Sequence, residues 1–189
     1  LIADSPSLSN AARDRAKTVI RAVTGSKLSK YNLQRDTPQL PDGHRILVPG
    51  QVEDDASIRL GTLDVTTNRD LLLAARDARP DAVILYKPHP DVEAGLRDGD
   101  VADATEIADM VVQNGDPIAL IDAVREVWTM TSLLGFEALL RGVPVTCLGQ
   151  PFYSGWGLTT DRHPHPRRTA RPDLTALAHA ALIDYPRYF

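Results

Sequence analysis

The sequence predicts an α/β fold, a Rossmann-like parallel sheet with helices on both faces. Three observations carry the prediction. Short apolar, β-branched runs at residues 45–48, 82–86 and 127–130 read as buried strands, with helical spacing between them, as at residues 68–78. Turn-forming residues close the first two strands directly: Pro49-Gly50 and Lys87-Pro88-His89-Pro90. Residues 127–148 make a whole strand–helix–strand unit, with a cap at Thr131-Ser132, helical spacing over 133–140, a stop at Gly142 and a returning strand. The start of that helix is expected to offer hydroxyls and free amides, and peptide dipoles add positive potential there. A phosphate or carboxylate ligand is therefore expected at Thr131 and Ser132.

Composition bounds the rest. The 189 residues suffice for one well-packed domain, and 43% apolar with 24% charged residues is ordinary for a soluble globular protein. With 21 basic against 25 acidic residues the net charge is -4, which gives no general drive toward nucleic acid or anionic membrane, so any anion site must be local. Cys147 is the only cysteine and lies in an expected buried strand, which removes disulfide frameworks and cysteine metal sites and fits a reducing cytoplasm. No leader opens the chain and no apolar run is long enough to span a bilayer. Leu1 is not a natural start, so a piece of a longer polypeptide is expected.

Taken in order, Ser9-Asn10 caps a helix over residues 11–23, ended by Gly25. Residues 26–43 are polar, contain Tyr31-Asn32 and read as a connector, so residues 1–43 are expected to link to a second domain and 44–189 to form the Rossmann-like one. After the first strand, Gln51 to Ser57 gather polar and acidic groups at a strand's C-terminal end, where open α/β sheets bind ligands, though such a run also reads as a solvated turn or helix cap. Asn68 is expected to cap the next helix. His89, held between two prolines, presents its ring in a restricted direction beside Lys87, or simply belongs to a rigid surface turn. Residues 95–108 are acidic and read as solvated surface, 110–112 as a short strand and 117–124 as a short helix.

The loop after the last strand, Gly149 to Asp161, sets glycines among aromatics. It suits close backbone approach to a ligand, with Ser154, Gly155 and Trp156 as a candidate substrate loop, and equally an aromatic cluster folded inward. Among the arginines of residues 162–171, one is expected to face an anionic substrate. His163 and His165 lack a third ligand at suitable spacing, so no metal is expected. A last helix over residues 174–183 is expected on the sheet edge. No Gly-x-Gly-x-x-Gly follows the first strand and no Gly-Lys-Ser/Thr occurs, which sets aside nicotinamide and ATP-hydrolysis readings.

Together, the Gln51–Ser57 run, Lys87-Pro88-His89-Pro90, Thr131-Ser132, Gly135-Phe136-Glu137-Ala138 and Tyr153-Ser154-Gly155-Trp156-Gly157 resemble capsule polysaccharide biosynthesis proteins of the KpsC type. The likeness runs from Lys30-Tyr31-Asn32 to the Asp184–Tyr188 end and is most specific from Trp128 to Gly157. The His-Pro and Ser/Thr motifs also look like the CMP-sugar site of bacterial sialyltransferases. The resemblance implies a β-Kdo glycosyltransferase that takes the acidic sugar Kdo from CMP-Kdo, built of two Rossmann-like halves in a GT-B arrangement. This chain would be the donor-binding half, with the second half missing. It implies donor contacts from Gln51, Lys87, His89, Thr131, Ser132 and Glu137, the last suited to ribose hydroxyls.

A retaining mechanism is implied too, with Asp55 matched to the carboxylate nucleophile and Asp54 and Glu53 as competitors in register. No cofactor beyond the sugar nucleotide is implied. The expected partners are the CMP-sugar donor and a lipid-linked glycan acceptor, with cytoplasmic placement and peripheral contact at the inner membrane or the capsule export complex. Two rivals stand beside this: an enzyme using another nucleotide sugar, and a non-catalytic nucleotide-sugar-binding or assembly module of the capsule machinery.

Overall fold

The computed structural model describes residues 1–29, 38–113 and 115–186; Tyr31-Asn32, in the expected connector, and the Arg187-Tyr188 end of the resemblance lie outside these. After a 3-10 turn at Ser5–Ser7 come α1 (Asn10–Gly25), β1 (Arg45–Pro49), α2 (Ala56–Gly61), α3 (Asn68–Ala78) and β2 (Val83–Lys87). Then follow α4 (Pro90–Glu93), α5 (Ala104–Ile107), β3 (Met110–Val111), α6 (Pro117–Asp122) and β4 (Glu126–Thr129). The chain continues through α7 (Leu133–Leu140), β5 (Val145–Cys147), β6 (Thr160–Asp161) and α8 (Leu174–His179), and α8 runs on as a π turn over Ala180–Asp184.

The six strands form one parallel sheet in the order β3-β2-β1-β4-β5-β6. Strands are laid down outward from β1 to β3, and the chain then crosses through α6 to start again on the other side of β1. The order of strands therefore reverses between β1 and β4, and their C-terminal ends leave a crevice at that switch point.

Alternation along the strands divides the core into two layers, because successive side chains leave opposite faces. Leu47, Leu85, Val127 and Val145 pack under α6, α7 and α8 through Ile118, Ile121, Phe136, Leu139 and Leu177. Ile46, Val48, Ile84 and Trp128 pack on the other face against Ile58, Leu71, Leu72 and Ile107. Cys147 lies in the first layer, and burial pushes its thiol far above the usual range, so it stays protonated.

Several local expectations change. Thr67, not Asn68, caps α3: its hydroxyl accepts from the Asp70 amide, while Asn68 is fully buried and spent on other bonds. The acidic stretch 95–108 is not all solvated surface, since Val101, Ala104 and Ile107 bury beneath α3 while Asp103 pairs outward with Arg69 at 2.8 Å. Helix α8 packs on α1 and α7, not on the sheet edge, tied to α1 by Arg13 and Asp173 at 2.6 Å. The short helix α2 and the edge strand β6 carry too few residues for periodicity to show them.

At the opposite end of the sheet from the crevice, Glu126 opens β4 and gathers its neighbours. His44 lies at 3.0 Å, Arg79 at 3.2 Å and the Trp128 indole N–H donates at 3.0 Å, with the Arg79 guanidinium over the Trp128 ring. Burial works against the charge, but the bonds from Trp128, Arg79 and His44 outweigh it and hold the carboxyl below an ordinary glutamate's 4.5. A depressed folded-state value means the contribution to stability is complete above that ordinary value and is lost as pH falls through the lowered one. Glu126→Gln is expected to lower the melting temperature at pH 7 and to lessen the loss of stability on acidification below about pH 4.5, read from melts across pH 3 to 7.

Candidate functional site

The loops leaving β1, β2 and β4 meet at the switch point, and Gln51 joins two of them. Its Oε1 accepts from the Thr131 amide at 2.9 Å and the Thr129 hydroxyl at 3.2 Å, and its Nε2 donates to Thr131 Oγ1 at 2.9 Å. Gln51 is only 7% exposed, and its own backbone is pinned from below by buried Asn68, which accepts from its N–H and donates to its carbonyl.

The three acids that follow are sorted by different partners. Glu53 accepts from the Asn68 amide at 2.7 Å, which fixes the start of α3. Asp54 accepts from Arg97 Nη2 at 2.8 Å and Nε at 3.2 Å. Asp55 caps α2, its Oδ1 accepting from the Ser57 amide at 2.7 Å. Of the three, Asp55 lines the crevice.

From β2 come Lys87 and His89. Lys87 ends the strand, is 6% exposed and sits 3.9 Å from Glu93. His89 caps α4, its Nδ1 accepting from the Asp91 amide at 3.2 Å. With Nδ1 accepting, the neutral ring carries its proton on Nε2, which makes that atom the donor.

From β4 come Thr131 and Ser132, and here the expectation of free amides is corrected. Gln51 takes the Thr131 amide, the Thr129 hydroxyl takes that of Ser132 at 3.1 Å, and Ser132 Oγ takes that of Leu134 at 3.2 Å as the cap of α7. What this turn offers an anion is chiefly its two hydroxyls and the positive end of α7. Glu137, one turn further on, is 8% exposed and borders the same crevice.

These residues enclose a cavity of about 410 Å³. Gln51, Asp55, Lys87 and His89 line it, and Thr131, Ser132 and Glu137 face them. The seven positions, from Gln51 to Glu137, span 87 residues of sequence and converge only through the strand order. Ser154, Gly155 and Trp156 are placed differently. Ser154 donates to the Pro151 carbonyl at 3.0 Å, the Gly155 amide to Asp161 at 2.9 Å and the Trp156 indole to the Phe152 carbonyl at 2.8 Å, all within their own loop.

Of the two readings of the aromatic loop, the inward cluster is seen in Tyr153 and Trp156, while Phe152, 39% exposed, forms part of the cavity wall. The basic stretch 162–171 supplies none of the described lining; Arg162 and His163 bind Asp64, and Arg168 donates to the carbonyls of Pro151 and Ser154. Lining residues that the sequence did not single out include Leu134, Phe152 and Arg97. Arg97 was hidden inside an acidic run whose composition spoke only of solvent.

Tyr153 fixes the Thr131-Ser132 turn from behind. Its hydroxyl donates to the Ser132 carbonyl at 2.5 Å, and its ring fits against α7 because residue 135 is glycine: a Cβ there would lie 2.2 Å from the Tyr153 oxygen. Gly135→Ala is expected to cost about 1 to 3 kcal/mol in urea unfolding, the usual range for overpacking. Tyr153→Phe in that background should recover part of the loss, although alone it removes a hydrogen bond worth about 1 kcal/mol.

With this geometry in hand, the comparisons with known proteins can be placed. Residues 5–188 match the family described as capsule polysaccharide biosynthesis protein. The chain is 47% identical over 181 residues to the lipopolysaccharide-processing protein LpsZ of Rhizobium meliloti, covering 93% of this chain and 41% of LpsZ. It is 48% identical over 172 residues to the capsule polysaccharide modification protein LipA of Neisseria meningitidis serogroup B, covering 89% of this chain and 24% of LipA. Among solved structures it is similar to Thermosulfurimonas dismutans KpsC, as a beta Kdo 2,7 transferase (TM-score 0.79, 40% identity, 96% of this chain and 55% of that one). It is also similar to KpsC of the same organism as a beta Kdo 2,4 transferase (TM-score 0.81, 33% identity, 92% and 56%). The chain thus spans less than two thirds of each of these relatives. A match over almost its whole length, on a six-stranded parallel sheet shared with these structures, means that the chain belongs to the capsule polysaccharide biosynthesis protein family.

Proposed function

We propose that this chain is the donor-binding half of a retaining β-Kdo transferase, taking Kdo from CMP-Kdo and passing it to a lipid-linked oligosaccharide in capsular polysaccharide biosynthesis. The observation that carries the reading is the meeting of Asp55, Lys87, His89, Thr131, Ser132 and Glu137 around one cavity at the switch point. The similarity to the two KpsC Kdo transferases supports the substrate class. Residues 44–189 would bind the nucleotide sugar, residues 1–43 would lead to the second GT-B half, and the acceptor would enter between the halves. The work would be done at the cytoplasmic side of the inner membrane, alongside the export complex; no helix among the described residues is long and apolar enough to cross a membrane.

In this reading the donor lies across the crevice. The nucleoside occupies the α7 side, with Glu137 accepting from ribose hydroxyls and Phe152 and Leu134 walling the base. The phosphate sits at the sheet edge, where the hydroxyls of Thr131 and Ser132, Lys87 and the His89 Nε2 proton meet the charge that grows as CMP leaves. Asp55 attacks the anomeric carbon: its carboxylate oxygen forms a bond to that carbon as the carbon–oxygen bond to the phosphate breaks, and the electron pair departs with CMP. The acceptor hydroxyl then displaces Asp55, giving its proton to a base in the second half. Lys87 would supply positive charge and His89 a hydrogen-bond donor, so the proposal calls on no metal or cofactor.

Two measurements test this. Calorimetric titration of the protein with CMP, UDP and GDP should show CMP bound most tightly; tight UDP binding without a CMP response would move the chain to another nucleotide sugar. Asp55→Ala in the full-length polypeptide should reduce turnover on the order of 10³-fold or more while leaving CMP affinity nearly unchanged. A variant that still supports capsule assembly, from a wild type that shows no transferase turnover, would place the protein among non-catalytic assembly modules.

A further inference from the structure

We infer that Arg97 is the residue that binds the sugar carboxylate of the donor and makes the site selective for acidic sugars, an inference that rests on the donor reading above. Arg97 lies in the loop after α4 yet lines the same cavity as Asp55 and Ser57, on the α2 side of the sheet edge. Its guanidinium is held by Asp54, through Nε and Nη2 to one carboxylate oxygen. Those two bonds leave donors of the five-donor fork for a second carboxylate, and the side chain is 41% exposed, so an incoming group can reach it.

The chemistry requires a cation at this place. In a 2-keto sugar acid the carboxylate is bonded to the anomeric carbon itself, so the reacting carbon brings a negative charge with it. A carboxylate nucleophile must approach that carbon to about 3 to 3.5 Å, which forces two like charges together. Arg97 lines the same cavity as Asp55; Asp54 by its hydrogen bond, and Asp54, Asp55 and Asp91 by their charge, hold the proton more firmly on its guanidinium. The other basic side chains of the lining, the Lys87 ammonium and the neutral His89 ring, come from the end of β2 and the turn after it, Lys87 with Glu93 and His89 with Asp91 beside it, and are already assigned to the phosphate. Asp54 is thereby more than a competitor for the nucleophile. It is the positioning residue that keeps Arg97 over the crevice.

The test is steady-state kinetics on the full chain with CMP-Kdo, with CMP as competitive inhibitor, and with CMP-Kdo whose sugar carboxylate is converted to the amide. Arg97→Ala is expected to raise KM for CMP-Kdo about tenfold or more, the size of a lost charge-assisted bidentate pair, and to leave the inhibition constant of CMP within about twofold. The wild type should prefer the acid to the amide, and Arg97→Ala should not. Arg97→Lys, which keeps the charge without the fork and is the milder change should alanine fail to fold, should lie between the two. An unchanged KM in either variant overturns the inference, as does an equal weakening of CMP, which would put Arg97 on the nucleotide. Absence of CMP inhibition in the wild type overturns the donor reading and this inference together, whereas loss of acid preference alone touches neither the nucleotide nor Asp55.

Discussion

The site depends on one amide side chain bridging two strand ends. Strands β1 and β4 are neighbours in the sheet, but the loops that leave them turn to opposite faces, one into α2 and the other into α7. Nothing in the sheet's own hydrogen bonding sets the distance between those loops beyond the last paired residues. Gln51 does so, with three bonds to Thr129 and Thr131 from a position itself clamped by Asn68. A glutamine suits this position because it offers an acceptor to the Thr131 amide and a donor to its hydroxyl. A glutamate would lose the donor and bury a charge, and an apolar residue would leave polar groups unpaired at about 1 to 3 kcal/mol each.

The same bridge explains the changed character of the α7 start. A free helix N-terminus binds anions through its amides, but here the amides of Thr131 and Ser132 are consumed in holding the turn. On the donor reading, anion recognition would shift from backbone to side chains: hydroxyls on one loop, Lys87 and His89 on another. A net charge of -4 is compatible with such a site because the charge of Lys87 is local and buried. Lys87, 6% exposed with Glu93 at 3.9 Å, is held where solvent does not screen it fully.

Much of this was legible in the sequence, for reasons that can be named. The strands at 45–48, 82–86 and 127–130 and the caps of α1 and α7 rest on local chemistry, which periodicity and capping residues report directly. His89 and Thr131 each come two residues after a strand and Asp55 lies in the loop after β1; ligand sites in open sheets lie at strand ends, so the sequence could place all three at one rim. Arg97 was not found, because its place depends on a salt bridge to Asp54 across 43 positions and its neighbourhood is acidic. Phe152 and Tyr153 were adjacent aromatics in one loop, and only the close approach that Gly135 permits decides which turns inward. The three consecutive acids show the limit most clearly: the sequence favours Asp55 but leaves Asp54 and Glu53 as competitors in register, and the fold gives the three unrelated partners.

That sorting bears on how the chemistry would run. If Asp55 attacks and Thr131-Ser132 receives the departing phosphate, nucleophile and leaving-group sites sit on loops from different strands, and their separation must be set before the donor arrives. Gln51 supplies that constraint on the β1 side and Tyr153 on the β4 side, one from within the crevice and one from behind α7. Asp55 is fixed a third way, since its carboxylate caps α2 and so cannot swing without loosening that helix. A reacting group held by the fold itself spares the entropy that ordering it at each turnover would cost.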